Sequence, residues 1–221
     1  MKNRINKLLL VIILILPAIC RAQQINWKNL GNKTHIAGIN VGWDYGATAG
    51  IGYGQKLKTR LPLVLNVEYS SPFGNTVFDD FKTKLGGQAQ VCQAGNFLVS
   101  LKAYGVFRRY QNDFVRLAGF GSEFSTDFGY YKSKWYVAGQ CGFDKAITTE
   151  IKNSETMKAI YPGVRNGWYV PTGGNFSYGI VSGYTMSNSD IYIRLGRIVT
   201  QDFKTTPTVP LYLQLGFNTR F

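Results

Sequence analysis

The pattern that organises this chain has a period of two. From 211 to 221, Leu211, Leu213, Leu215, Phe217, Thr219 and Phe221 alternate with Tyr212, Gln214, Gly216, Asn218 and Arg220. Successive side chains of a strand point to opposite faces, so the segment separates an apolar wall from a polar one. Leu61, Leu63, Leu65, Val67 and Tyr69 alternate in the same way with Val64, Asn66, Glu68 and Ser70. Phe97, Val99 and Leu101 alternate with Ser100, Lys102 and Tyr104, and Trp135, Val137 and Gly139 with Tyr136, Ala138 and Gln140. The periodicity predicts ten strands, at 36–43, 45–56, 61–69, 81–92, 97–106, 114–122, 134–143, 175–185, 190–199 and 209–221.

Charges sort with the pattern. The polar wall carries Lys56, Glu68, Lys82, Lys84, Lys102, Arg116, Arg194 and Arg220, and the apolar wall carries Arg197. A charge facing lipid at mid-bilayer costs about 2–4 kcal/mol, so this sorting predicts lipid outside and a polar lumen within. Arg197 falls late in its strand, where a long side chain snorkels to the headgroups; a register-shifting bulge is the other reading. The expected fold is therefore all-β, a closed antiparallel transmembrane β-barrel of about ten strands over 35–221, with eight or twelve as the neighbouring counts. Its inner turns fall near 57–60, 93–96, 123–133 and 186–189, and its outer loops at 70–80, 107–113, 144–174 and 200–208. The stretch 123–133 is long for an inner turn, which predicts that the flanking strands extend into it.

So small a barrel is filled by side chains. Tyr104, Arg116, Phe120, Gln140, Arg194 and Gln214 are the expected lumen fillers. The extracellular insertion 144–174 holds a short helical pattern, then Trp168 and Tyr169. It reads either as a plug folded over the mouth or as a cap that binds a ligand or partner.

Composition decides which way the walls face. A water-soluble lipocalin-like barrel also alternates, with its apolar wall inward. Here the polar wall is rich in Gly, Ser, Gln, Asn and Tyr, and charged residues make up 17% of the chain, against about 25% in ordinary soluble domains. Residues 1–22 read as a cleaved secretory signal: Lys2, Arg4 and Lys7, an apolar run at 8–16, Pro17, and a small residue at Ala22. Residues 23–34 follow as an N-terminal periplasmic segment. The formal charge of +13 falls to +9 when Lys2, Arg4, Lys7 and Arg21 are removed, which points to anionic partners such as lipopolysaccharide phosphates. Export argues against nucleic acid. Cys92 and Cys141 fall on opposite walls of non-adjacent strands, which predicts free thiols.

Candidate chemistry is sparse. The single histidine, His35, stands at the start of the first strand, the wrong end for a Ser–His lipid hydrolase at the outer leaflet. No metal set, cofactor motif or catalytic constellation is expected; Asp79 and Asp80 read as a solvated loop pair. Arg108 and Arg109 lie at an outer loop, where guanidinium forks suit lipopolysaccharide phosphates.

The strand 211–221, with Phe217, Thr219 and Phe221 on one face, resembles the C-terminal insertion signal of bacterial outer-membrane proteins, which implies recognition by the barrel-assembly machinery. The runs KTRLP at 58–62, DDFKTKLGG at 79–87, KWY at 134–136 with GFDK at 142–145, and GWY at 167–169 with TGG at 172–174 give the chain a style similar to small outer-membrane β-barrel proteins of Bacteroidota. That resemblance implies location in the outer membrane of a Gram-negative bacterium. The expected function is a non-enzymatic structural or binding role at the envelope, in contact with outer-membrane lipid, lipopolysaccharide and an envelope protein partner. A narrow channel for small anionic solutes is the alternative, and a lipid-modifying enzyme the third reading.

Overall fold

The computed structural model describes residues 24–74, 78–205 and 207–221. The expected signal at 1–22, Cys20 included, lies outside the described residues. The strands are β1 (His35–Trp43), β2 (Ala47–Leu57), β3 (Leu63–Pro72), β4 (Asp80–Ala94), β5 (Phe97–Gln111), β6 (Val115–Tyr131), β7 (Trp135–Asn153), β8 (Gly167–Tyr169), β9 (Gly174–Met186), β10 (Ser189–Thr200) and β11 (Leu211–Arg220). One short helix, α1 (Glu155–Ile160), follows β7, with Ser154 as its N-cap. All pairings are antiparallel. β1 pairs with β11, and β6 pairs with β7, so ten strands close into a ring; β8 is an extra strip on β7.

One end carries short turns, 58–62, 95–96, 132–134 and 187–188; the other carries the longer loops 73–79, 154–173 and 201–210. The stretch 123–133 is indeed strand for most of its length, because β6 runs on to Tyr131. β7 likewise continues ten residues past the predicted end at 143, to Asn153. The insertion therefore begins at 154, and β7 overhangs β9, whose pairing with it stops at Lys145 and Gly174.

The walls follow the period of two. The outward side chains include Ile39, Leu65, Leu85, Leu101, Phe124, Ile180, Ile193 and Leu215, all at least 40% exposed. The inward ones include Val64, Asn66, Ser100, Lys102, Asp127, Tyr136, Val181, Tyr192 and Asn218, all below 9%. Glycine makes room for the inward rings. Tyr104, Tyr136, Tyr192 and Tyr212 each lie cross-strand from a glycine, at Gly86, Gly183, Gly216 and Gly196 respectively. A Cβ at Gly216 would stand 2.2 Å from the Tyr192 ring, so a flat tyrosine on a bare glycine is the packing unit of this lumen.

One expectation of register is corrected, and one alternative is removed. Cys92 follows a bulge between Gln90 and Cys92, and one extra residue flips parity. It pairs with Val99 on the outer wall, where Cys141 also stands; both thiols are free and exposed. Arg197 needs no bulge. Its register with Tyr178 and Leu211 is unbroken, and the side chain is outward and exposed near the loop end.

Candidate functional site

The turn-end half of the lumen is a dry core. Residues 24–30, expected as a periplasmic lead-in, sit inside the barrel. Ile25, Trp27 and Leu30 are buried against Ile36, Val64, Leu98, Tyr131, Tyr136, Ala138 and Val181. The intervening polar residues bond to the rim. Asn26 Nδ2 donates to the Lys132 carbonyl and to Thr185 Oγ1, both at 2.9 Å. Lys28 Nζ donates to the Gly95 carbonyl at 2.7 Å, and Asn29 Nδ2 to the Ser187 carbonyl at 3.2 Å. This interleaving of apolar and polar side chains at 24–30 is the sequence signal for a plug; it lies outside any strand pattern.

Above the plug a polar layer crosses the lumen. Lys102 Nζ pairs with Asp127 at 2.7 Å, and both are buried. The Gln24 amide donates to Asp127 at 2.9 Å and accepts from Lys102 at 3.1 Å. Gln140 donates to the other Asp127 oxygen at 2.6 Å. Arg194 donates to Gln140 at 3.1 Å through Nε and to Gln214 at 2.8 Å through Nη1. The layer thus spans β5, β6, β7, β10 and β11 without a break.

The loop-end half is a chamber of about 880 Å³, with Gln24 in its floor. Lys82, Lys84, Arg108 and Arg194 line it together with Asp44, Glu68, Glu123 and Asp144. Most of these charges are already matched: Lys82 with Asp44, Lys84 with Glu123, and Arg108 with Asp80 at 3.7 Å. Burial pushes the Asp44 carboxyl up, but the Lys82 and Lys84 ammonium groups outweigh it and hold the group down at about 2. Tyr45, Tyr110, Tyr192 and Tyr212 supply aromatic faces, and Asn40 and Gln214 supply amides. The Tyr45 ring lies 4.6 Å from Lys82 Nζ and 4.3 Å from the Arg108 guanidinium.

Of the expected lumen residues, the structure brings Tyr104, Gln140, Arg194 and Gln214 inside; Tyr104 Oη accepts from Asn66 at 2.8 Å. Arg116 and Phe120 are corrected to the outer wall. Parity in β6 is set by inward Glu123 and Asp127, which places even-numbered residues outward. At the loop end an outward charge meets water, so Arg116 does not mark the lumen side there.

Arg108 and Arg109 do not act together, because neighbours on a strand face opposite walls. Arg108 turns into the chamber, and Arg109 outward. Trp168 and Tyr169 do not cover the mouth. They form β8 on the edge of β7, both exposed, with Trp168 against Phe120 at 6.1 Å. No residue of 154–173 lines the chamber, so the plug is the N-terminal segment rather than this insertion. Phe217, Thr219 and Phe221 face outward beside the seam. Phe221 stacks on His35 at 5.5 Å, and its carbonyl accepts from the Thr34 and His35 amides. Glu68, Lys84 and Glu123, central to the chamber, stand out in the sequence only as charges on the polar wall or in a presumed turn.

No protein-family model matches the chain, and no curated protein matches it. Among solved structures it is similar to a KdgM porin in complex with disordered oligogalacturonate, with 9% identity and a TM-score of 0.42 over 84% of this chain and 99% of that one. A second KdgM porin structure gives 9% identity and a TM-score of 0.40 over the same shares.

Proposed function

We propose that the protein is an integral outer-membrane β-barrel of a Gram-negative cell, non-enzymatic, with a blind chamber that takes up an uncharged polar solute from outside. The observation that carries the membrane placement is a belt on the outer wall. At the loop end Tyr69, Phe81, Phe107, Phe120 and Trp168 form a continuous aromatic row, with ring centroids 5.0–6.1 Å apart. At the turn end Phe97, Tyr130 and Trp135 form a second, at 5.4 and 5.7 Å. Phe97 and Phe107 are ten residues apart on β5. At about 3.4 Å per residue and a tilt of about 40°, the rows stand about 25 Å apart, the height of a barrel's lipid-facing band. Between the rows, the outward side chains of β4, β5 and β6 carry no charge. The style shared with small barrels of Bacteroidota, and the outward Phe217, Thr219 and Phe221, support the same placement and insertion by the barrel-assembly machinery.

Leu101 lies near the middle of this belt and is 50% exposed. Leu101→Arg should cost about 2–4 kcal/mol in urea titrations of protein folded into phospholipid vesicles. On a water-exposed wall the same change would stay within about 0.5 kcal/mol, and that outcome would remove the membrane reading.

Binding is favoured over conduction because the polar layer and the plug close the turn end. The lining's charges nearly balance, Lys82, Lys84, Arg108, Lys145 and Arg194 against Asp44, Glu68, Glu123 and Asp144, and ion pairs take up three of the basic groups, while tyrosine faces and amides suit hydroxyl-rich solutes. The lone histidine supports a non-enzymatic role, since it is stacked on the outer wall between Tyr53 and Phe221. In planar bilayers the intact protein should give no steady ion current. A sustained current would instead favour a narrow channel.

A further inference from the structure

We infer that Arg109 and Arg116 form an external site for the phosphate groups of an outer-leaflet glycolipid. The inference rests on the membrane placement above but not on the chamber. Both side chains leave the outer wall immediately beyond the aromatic row. Arg109 is two residues past Phe107 on β5, and Ala118 separates Phe120 from Arg116 on β6. Arg109 pairs in register with Ala118, and Gln111 with Arg116, so the two arginines are diagonal neighbours on one face. Such neighbours lie about 7–8 Å apart, within reach of a single phosphate.

Their charges exceed the nearby acid. Glu150, across from Ala118 and so itself diagonal to Arg116, is already paired at 2.7 Å with Lys152, which stands opposite Arg116. Arg116 is exposed and has no carboxylate partner among the described residues. Arg109 is held by one bond, Nη2 to Gln111 Oε1 at 2.6 Å, and its buried Nε has no acceptor. Two guanidinium groups held side by side repel each other until a multivalent anion bridges them. Planar forks match phosphate oxygens better than point charges do. Trp168, resting on Phe120 just below, marks the interfacial depth at which lipid phosphates lie.

The test uses the full chain refolded in neutral detergent and titrated with diphosphorylated lipid A, dephosphorylated lipid A and inorganic phosphate. The intact protein should bind the phosphorylated lipid. R109A/R116A should bind it about ten- to a hundredfold more weakly, the loss expected for charge-assisted hydrogen bonds. R109K/R116K should fall between them, because the charge stays and the fork is lost. Heat-modified gel migration reports whether each variant is folded, and the single variants carry the test if the double one is not. Unchanged binding by R109A/R116A, or equal binding of the dephosphorylated lipid, overturns the inference. Displacement of lipid A by inorganic phosphate at equal concentration would assign the site to a free anion instead. A failed membrane placement would show separately, as a protein that stays dissolved without detergent.

Discussion

Trp27→Ala should lower the unfolding free energy of the barrel by about 3–5 kcal/mol, the range for emptying a large buried site. Trp27 is 7% exposed and sits in a socket made by strands from around the ring, so neighbouring groups cannot all collapse onto the vacancy. Urea titration in vesicles, followed by intrinsic fluorescence, measures the loss. Trp168→Ala is the matched control: Trp168 is 59% exposed on a strip at the barrel's edge, and its removal should cost less than about 1 kcal/mol. Equal, small losses for the two variants would show that residues 24–30 do not fill the lumen in the folded protein.

Asp127→Ala should cost a similar amount, about 3–5 kcal/mol, for a different reason. It strands the buried Lys102 ammonium and leaves the Gln24 and Gln140 amides without their acceptor. The cost lies in the orphaned charge more than in the lost attraction. The double variant Lys102→Met/Asp127→Leu, which removes both charges and leaves no cavity, should therefore recover most of the stability in the same titration. If the double variant is as weak as Asp127→Ala, the polar layer stabilises through its bonds to Gln24 rather than through charge pairing.

The ring of strands was legible because each wall of each strand meets one medium over most of its length. Ten alternating segments appear at their places, and Arg197 keeps the wall that its parity gave it. What was illegible depends on single residues. The bulge at Gln90 and Cys92 moves Cys92 to the other wall without leaving a mark in composition. Arg116 misled because a charge marks the lumen only within the proposed lipid belt, and β6 runs past that belt. The plug escaped notice because Ile25, Trp27 and Leu30 belong to no strand, and the partners named above are contributed by six different strands. The chamber was half visible: Arg194, Gln140 and Gln214 were recognisable as inward side chains, but pairs such as Lys84 with Glu123 exist only once the ring closes.

A hollow cylinder owes its shape to whatever presses on it from outside. This one is corked, and beneath the chamber it holds oily side chains in contact with each other, as the centre of a water-soluble enzyme does. Part of its cohesion is therefore carried internally and is indifferent to the identity of the surrounding amphiphile. In the proposed membrane setting, the cylinder should keep its cross-section when lipids are exchanged for surfactants too small to support an empty tube.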